Sequence, residues 1–69
     1  MPTDELRNRI KDLRAARGLT QEELAELVSV TRKTVNTVEN GRFVPSTVLA
    51  LRLARALRVR VDDLFSLTD

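Results

Sequence analysis

Apolar residues recur with a helical period along nearly the whole chain, and the polar residues between them mark where each run starts and stops. Leu6, Ile10 and Leu13 stand at i, i+4 and i+7, with Ala16 extending the stripe. This predicts a first helix from about Asp4 to Arg17, capped by Thr3, with Asp4 and Glu5 in its first turn and Gly18 as its stop. Thr20-Gln-Glu-Glu23 has the spacing of a capping box, and Leu19 and Leu24 have that of a hydrophobic staple. A second helix comes next, with Leu24, Leu27 and Val28 as its buried face. After the turn at Ser29-Val30, Thr31 caps a third helix, Arg32 to about Asn40. Val35 and Val38 point inward, Gly41 ends the helix, and Arg32, Lys33, Asn36, Thr37 and Asn40 form a polar outer face. Arg42 to Pro45 is a loop, and Ser46 caps a fourth helix to Leu57 with Ala50, Leu53, Ala54 and Leu57 as its core face. Val61 to Phe65 is a short fifth helix carrying Asp62 and Asp63 in its first turn. No strand signal, repeat, linker or low-complexity tract stands out. The expected fold is all-α, a compact five-helix bundle forming one domain over residues 1–69.

Composition narrows what such a bundle can do. In 69 residues there is no Cys and no His. Zinc fingers, disulfides, Cys or His nucleophiles and a His general base are excluded, and no metal site or cofactor is expected. A chain of roughly this size buries only about 60% of its unfolded surface, so a deep substrate pocket is not expected either. No enzyme activity, catalytic residue or small-molecule ligand is therefore assigned. Asp62 and Asp63 are adjacent, so they point different ways on a helix and are read as first-turn charges, not as a catalytic pair. No 18-residue apolar run exists, and the opening Met-Pro-Thr-Asp-Glu-Leu lacks the basic start and apolar stretch of a signal peptide. The expected location is the cytoplasm. The net charge of +2 is segregated: residues 42–60 carry five Arg and no acid, whereas residues 19–41 are net acidic. Such segregation points mildly to a polyanion partner.

Residues 21–40 make a unit: a helix, a two- to three-residue turn and a second helix, which is a helix-turn-helix. Close crossing of the two helices needs a small residue, supplied by Ala25, and apolar facing positions, supplied by Leu24, Val28, Val30, Val35 and Val38. The turn calls for a positive φ at Ser29, where Gly is usual. Leu19-Thr-Gln-Glu-Glu-Leu-Ala25, Thr31 to Gly41, Pro45-Ser46 and Val61-Asp-Asp-Leu-Phe65 together resemble the Cro/phage-repressor-type helix-turn-helix regulators, also called the xenobiotic-response-element family. The resemblance covers residues 6–65 and implies a lambda-repressor-like DNA-binding domain of a prokaryote or phage, acting as a homodimer on double-stranded DNA. Three departures stand at Val48, Arg58 and Arg60, where the family commonly has an acid or amide, a Gly, and Ser or Thr.

The resemblance also implies roles for individual residues. The third helix would lie in the major groove, with Thr31, Arg32, Lys33, Asn36 and Thr37 reading bases; bidentate Arg to guanine is the commonest specific contact. Thr20 and Gln21 at the start of the second helix, and Asn40 and Arg42 after the third, would hold phosphates. Arg14 and Glu39 would form a structural ion pair between the first and third helices. Arg52, Arg55, Arg58 and Arg60 lie behind the reading head in this family and are read as solubility or partner contacts. A chain this small cannot bury all its C-terminal apolar residues. Val48, Val59, Val61, Leu64, Phe65 and Leu67 are the expected dimer contact, centred on residues 58–69. The expected function is a sequence-specific regulator, a repressor acting on a pseudo-palindromic operator. The alternative is an antitoxin-like or partner-binding module that uses the C-terminal surface and binds DNA only to regulate itself.

Overall fold

The computed structural model describes residues 5–68. It contains five helices, α1 (Ile10–Ala16), α2 (Gln21–Leu27), α3 (Arg32–Glu39), α4 (Thr47–Ala56) and α5 (Val61–Leu64). Two short strands, β1 (Leu6–Asn8) and β2 (Phe65–Leu67), pair antiparallel with Leu6 opposite Leu67 and Asn8 opposite Phe65. The fold is thus helical with a small sheet, which corrects the all-α expectation.

The reason lies at Asn8. Its side-chain oxygen accepts from the Ile10 amide at 3.1 Å, a local bond of the Asx type that competes with helix. The helix therefore starts at Ile10, with Arg9 at the cap position, and Leu6 to Asn8 extend along β2. Bonds between Glu5 and Thr68 continue the pairing: each backbone amide donates to the other residue, to the Thr68 hydroxyl at 3.0 Å and to the Glu5 carbonyl at 2.9 Å. Phe65, expected at the end of the fifth helix, opens β2 instead. The expected cap Thr3 and its neighbour Asp4 lie outside the described residues.

The core is continuous and purely apolar, built from Ile10, Leu24, Ala25, Val28, Val35, Val38, Leu49, Leu53, Ala54, Leu57 and Leu64. Ala16, expected to extend the first stripe, is exposed, and two further positions differ from the sequence expectation. Leu27 is 60% exposed, because Ala25, Leu24 and Val28 define the inward face of α2 and Leu27 falls on its flank. Leu49 takes the inward place beside Leu53, leaving Ala50 half-buried.

Helices α1 to α4 end in the same way. Each is followed by a left-handed residue, Gly18, Ser29, Gly41 or Arg58, with φ of 68°, 61°, 72° and 56°. At each end the left-handed residue's amide donates to the carbonyl three back, and the next amide donates to the carbonyl five back. Val30 to Ala25 and Val59 to Ala54, both 3.0 Å, are two examples. This is the Schellman arrangement, which satisfies carbonyls the helix leaves unpaired. Three of these ends place an apolar residue next, Leu19, Val30 or Val59, half-buried against the core, and run directly into the next cap. The fourth, after α3, places Arg42 there and continues as a loop to Ser46.

Candidate nucleic-acid interface

Helix α3 is fixed at both ends and on one flank. At its start the Thr31 side chain accepts from the Thr34 amide at 3.2 Å, and the Thr31 and Thr34 hydroxyls are 3.0 Å apart. At its end the Asn8 side-chain amide donates to the Val38 carbonyl at 3.0 Å. One face is anchored by Val35 and Val38 in the core. The opposite face carries Arg32, Lys33, Asn36, Thr37 and Asn40, of which Asn36 and Thr37 are half-buried.

A polar network ties this helix to α1 and α2. The Arg14 guanidinium donates to the Glu39 carboxylate from Nε at 2.7 Å and from Nη2 at 3.3 Å, and its Nη1 donates to the Leu19 carbonyl at 2.8 Å. The Glu39 side chain is 3% exposed. It also accepts from the Gln21 amide at 3.1 Å, and the Gln21 oxygen accepts from Arg32 at 3.4 Å. A buried carboxylate needs such partners, because its desolvation is otherwise uncompensated. The network runs from the α1 ion pair through Gln21 to the exposed Arg32.

The N-terminus of α2 is organised by the capping box. Thr20 accepts from the Glu23 amide at 3.0 Å, and Glu23 accepts from the Thr20 amide at 2.9 Å. These bonds from the Thr20 backbone and hydroxyl region hold the Glu23 carboxyl below the usual glutamate range. Thr20 is exposed and Gln21 half-buried at the same edge as α3. Asn40 and Arg42 are exposed at its other end, where the Asn40 amide donates to the Asn36 oxygen at 3.2 Å. Gln21 bonds to Arg32 and Asn40 to Asn36, so at each end of α3 one residue expected to hold a phosphate lies against one expected to read bases.

The C-terminal residues divide differently. Leu64 is 1% exposed and closes the core against α4, so it is unavailable as a dimer contact. Val59, Val61 and Phe65 are half-buried against the core, whereas Val48, Leu51 and Leu67 are largely exposed. An apolar groove of about 250 Å³ lies among Leu6, Pro45, Ala50, Leu51, Val61 and Phe65, away from α3. Among the described residues no group of acids could hold a metal ion, and no helix is long and apolar enough to cross a membrane.

Sequence reasoning missed three residues at this surface. Asn8 holds the end of α3, and its signal was an Asn two residues before a core Ile. Thr34 lies beside Thr31, and its signal was the cap spacing. Phe43 stood outside every apolar stripe, which is itself the sign of an exposed aromatic.

A trihelical reading head of this construction defines a DNA-binding helix-turn-helix, and the comparisons agree. The sequence model of the helix-turn-helix family HTH_3 matches residues 10–64, and the chain belongs to this Cro/C1-type family of transcriptional regulators. It is 51% identical over 65 residues to an uncharacterized HTH-type transcriptional regulator of Methanothermobacter thermautotrophicus, covering 93% of this chain and 94% of that one. It is 44% identical over 64 residues to the uncharacterized HTH-type transcriptional regulator YgzD of Bacillus subtilis, covering 93% and 97%. Among solved structures, the restriction-modification controller protein C.AhdI from Aeromonas hydrophila superposes with a TM-score of 0.75 at 41% identity, over 78% of this chain and 82% of that one.

Proposed function

We propose that the protein is a sequence-specific repressor that binds a pseudo-palindromic operator as a homodimer, with α3 in the major groove. The observation that carries this reading is the Arg14–Glu39–Gln21–Arg32 network, in which the buried Glu39 carboxylate holds Gln21, and Gln21 in turn accepts from the Arg32 guanidinium on the outer face of α3. Arg32 and Lys33 read base edges, Asn36 reads beside them, and the Thr31 methyl packs on a thymine. Thr20, Asn40 and Arg42 hold phosphates on either side of the groove. Gln21 serves both phosphate and Arg32. The second copy covers the groove at Leu51 and Phe65 together with Val48 and Leu67, which sets the two reading helices about one helical turn of DNA apart.

Selection of bound sequences from a random duplex pool tests this. The wild type enriches an inverted repeat, and an Arg32→Ala/Lys33→Ala variant loses it. Enrichment indifferent to those substitutions, or none at all, refutes the assignment of α3. A Leu51→Glu variant is expected to sediment as a monomer and to bind a half-site only.

A further inference from the structure

We propose that Phe43, with Thr34 and Thr37, forms a pocket that reads the 5-methyl group of a thymine. This rests on the placement of α3 in the major groove and adds a specificity determinant outside the helix. The loop after α3 differs from the other helix ends. Gly41 is left-handed at φ 72°, and the Arg42 amide donates to the Thr37 carbonyl at 2.9 Å, so the chain turns back beside α3. Where the other three ends send an apolar side chain inward, this one sends Arg42 to solvent and leaves Phe43 51% exposed. Phe43, Lys33, Thr34 and Thr37 line a shallow pocket of about 200 Å³.

The two threonines offer this pocket little polarity. The Thr37 hydroxyl donates back into its own helix, to the Thr34 carbonyl at 2.9 Å and the Lys33 carbonyl at 3.1 Å. The Thr34 hydroxyl is engaged with Thr31. With both hydroxyls occupied, what remains of each side chain is its methyl group. Two methyls and an aromatic ring make an apolar recess on an otherwise hydrogen-bonding face. The occupant is defined by that setting. In the major groove the one apolar group that a base pair presents is the thymine methyl, and Thr and Phe are among its usual contacts. Lys33 at the rim supplies a cation on the side where the polyanion must approach.

The test uses the selected operator and its copies in which each thymine in turn is replaced by deoxyuridine, which removes only the methyl. Affinity is measured at one salt concentration for the wild type, Phe43→Ala and Thr37→Ser, the last keeping the hydroxyl. At the thymine that Phe43 meets in each half-site, distinct from the one under Thr31, deoxyuridine is expected to weaken wild-type binding about fourfold per half-site, the value of one buried methyl-sized group. Phe43→Ala binds both duplexes alike, and Thr37→Ser reduces the ratio. Circular dichroism and sedimentation confirm that each variant is folded and unchanged in assembly. The inference is overturned if no thymine shows a methyl dependence that Phe43→Ala abolishes. It is also overturned if Phe43→Ala changes the assembly state and not the ratio, since the ring then meets a second copy. A wild type that enriches no sequence refutes the placement of α3 itself, a result distinct from these.

Discussion

The joint between α2 and α3 and the joint between α4 and α5 are built alike, 29 residues apart. Each has a buried Ala at the helix crossing, Ala25 or Ala54, a left-handed residue that is not Gly, Ser29 or Arg58, then a half-buried Val and an extended cap residue. They part at the cap. Thr31 accepts the Thr34 amide through its side chain, whereas Arg60 has no acceptor and relies on Asp63, whose carboxylate takes the Arg60 amide at 3.1 Å. The first joint leads into eight residues of helix with a polar outer face, the second into one turn and a strand. The geometry of such a joint is thus a backbone property, held by two hydrogen bonds and one apolar contact, and it tolerates Ser or Arg at a strained position. The reading head is set apart by the side-chain bracing around its joint and by the polar face of α3 beyond it.

The largest test of that bracing is Glu39→Ala. It removes the acceptor for both Arg14 and Gln21 and is expected to cost about 3 kcal/mol in urea unfolding. No corresponding ion pair braces the second joint among the described residues. Thr31→Ala should cost less, about 1 kcal/mol, the usual loss for an N-cap acceptor. Ser29→Gly and Arg58→Gly should each raise stability by about 0.5–1 kcal/mol, because relief of left-handed strain outweighs the added chain entropy. Equal gains would show that the two joints carry equal strain, and a loss at either would break the likeness. Arg60→Ser should add about 0.5 kcal/mol by giving the second joint the acceptor that the first has.

The smallest effect is in pH. Glu23 has a depressed folded pKa because Thr20 donates to it, and unfolding restores the ordinary value. Its contribution is present above the ordinary glutamate value and is lost as pH falls through the folded one. Thermal melts of Glu23→Gln should lack that acid-side dependence.

Helices α2, α3 and α4 and their caps were legible because each is written locally. Thr20, Thr31 and Ser46 stand three residues before the amides they accept, and the positive φ at Ser29 is dictated by the turn length. The partners of Arg14 and Glu39 came from a resemblance, since nothing local joins residues 25 apart. The sheet was not legible. Leu6 fits a helical stripe with Ile10 as well as it fits a strand, and only pairing with Leu67, far along the chain, decides between them. Leu27 misled for a related reason: at i+3 from Leu24 it fits a stripe, but the small Ala25 is what lets the neighbouring helix approach, and that turns Leu27 outward. Leu64 was offered to a partner because a sequence does not reveal which apolar residues a small core has room for.

The β1–β2 pair also sets an order of events in folding. Every helix joint closes within a few residues, whereas Leu6 meets Leu67 only after some sixty residues of chain have been looped. Loop closure over that length carries a larger entropic cost than any helix turn, so the pair forms after the helices and opens before them. Asn8 belongs to that late segment and holds the far end of α3 through the Val38 carbonyl. Local opening of the sheet, visible as exchange of the Thr68 and Arg9 amides, therefore frees the last turn of the reading helix while the rest of the head stays folded.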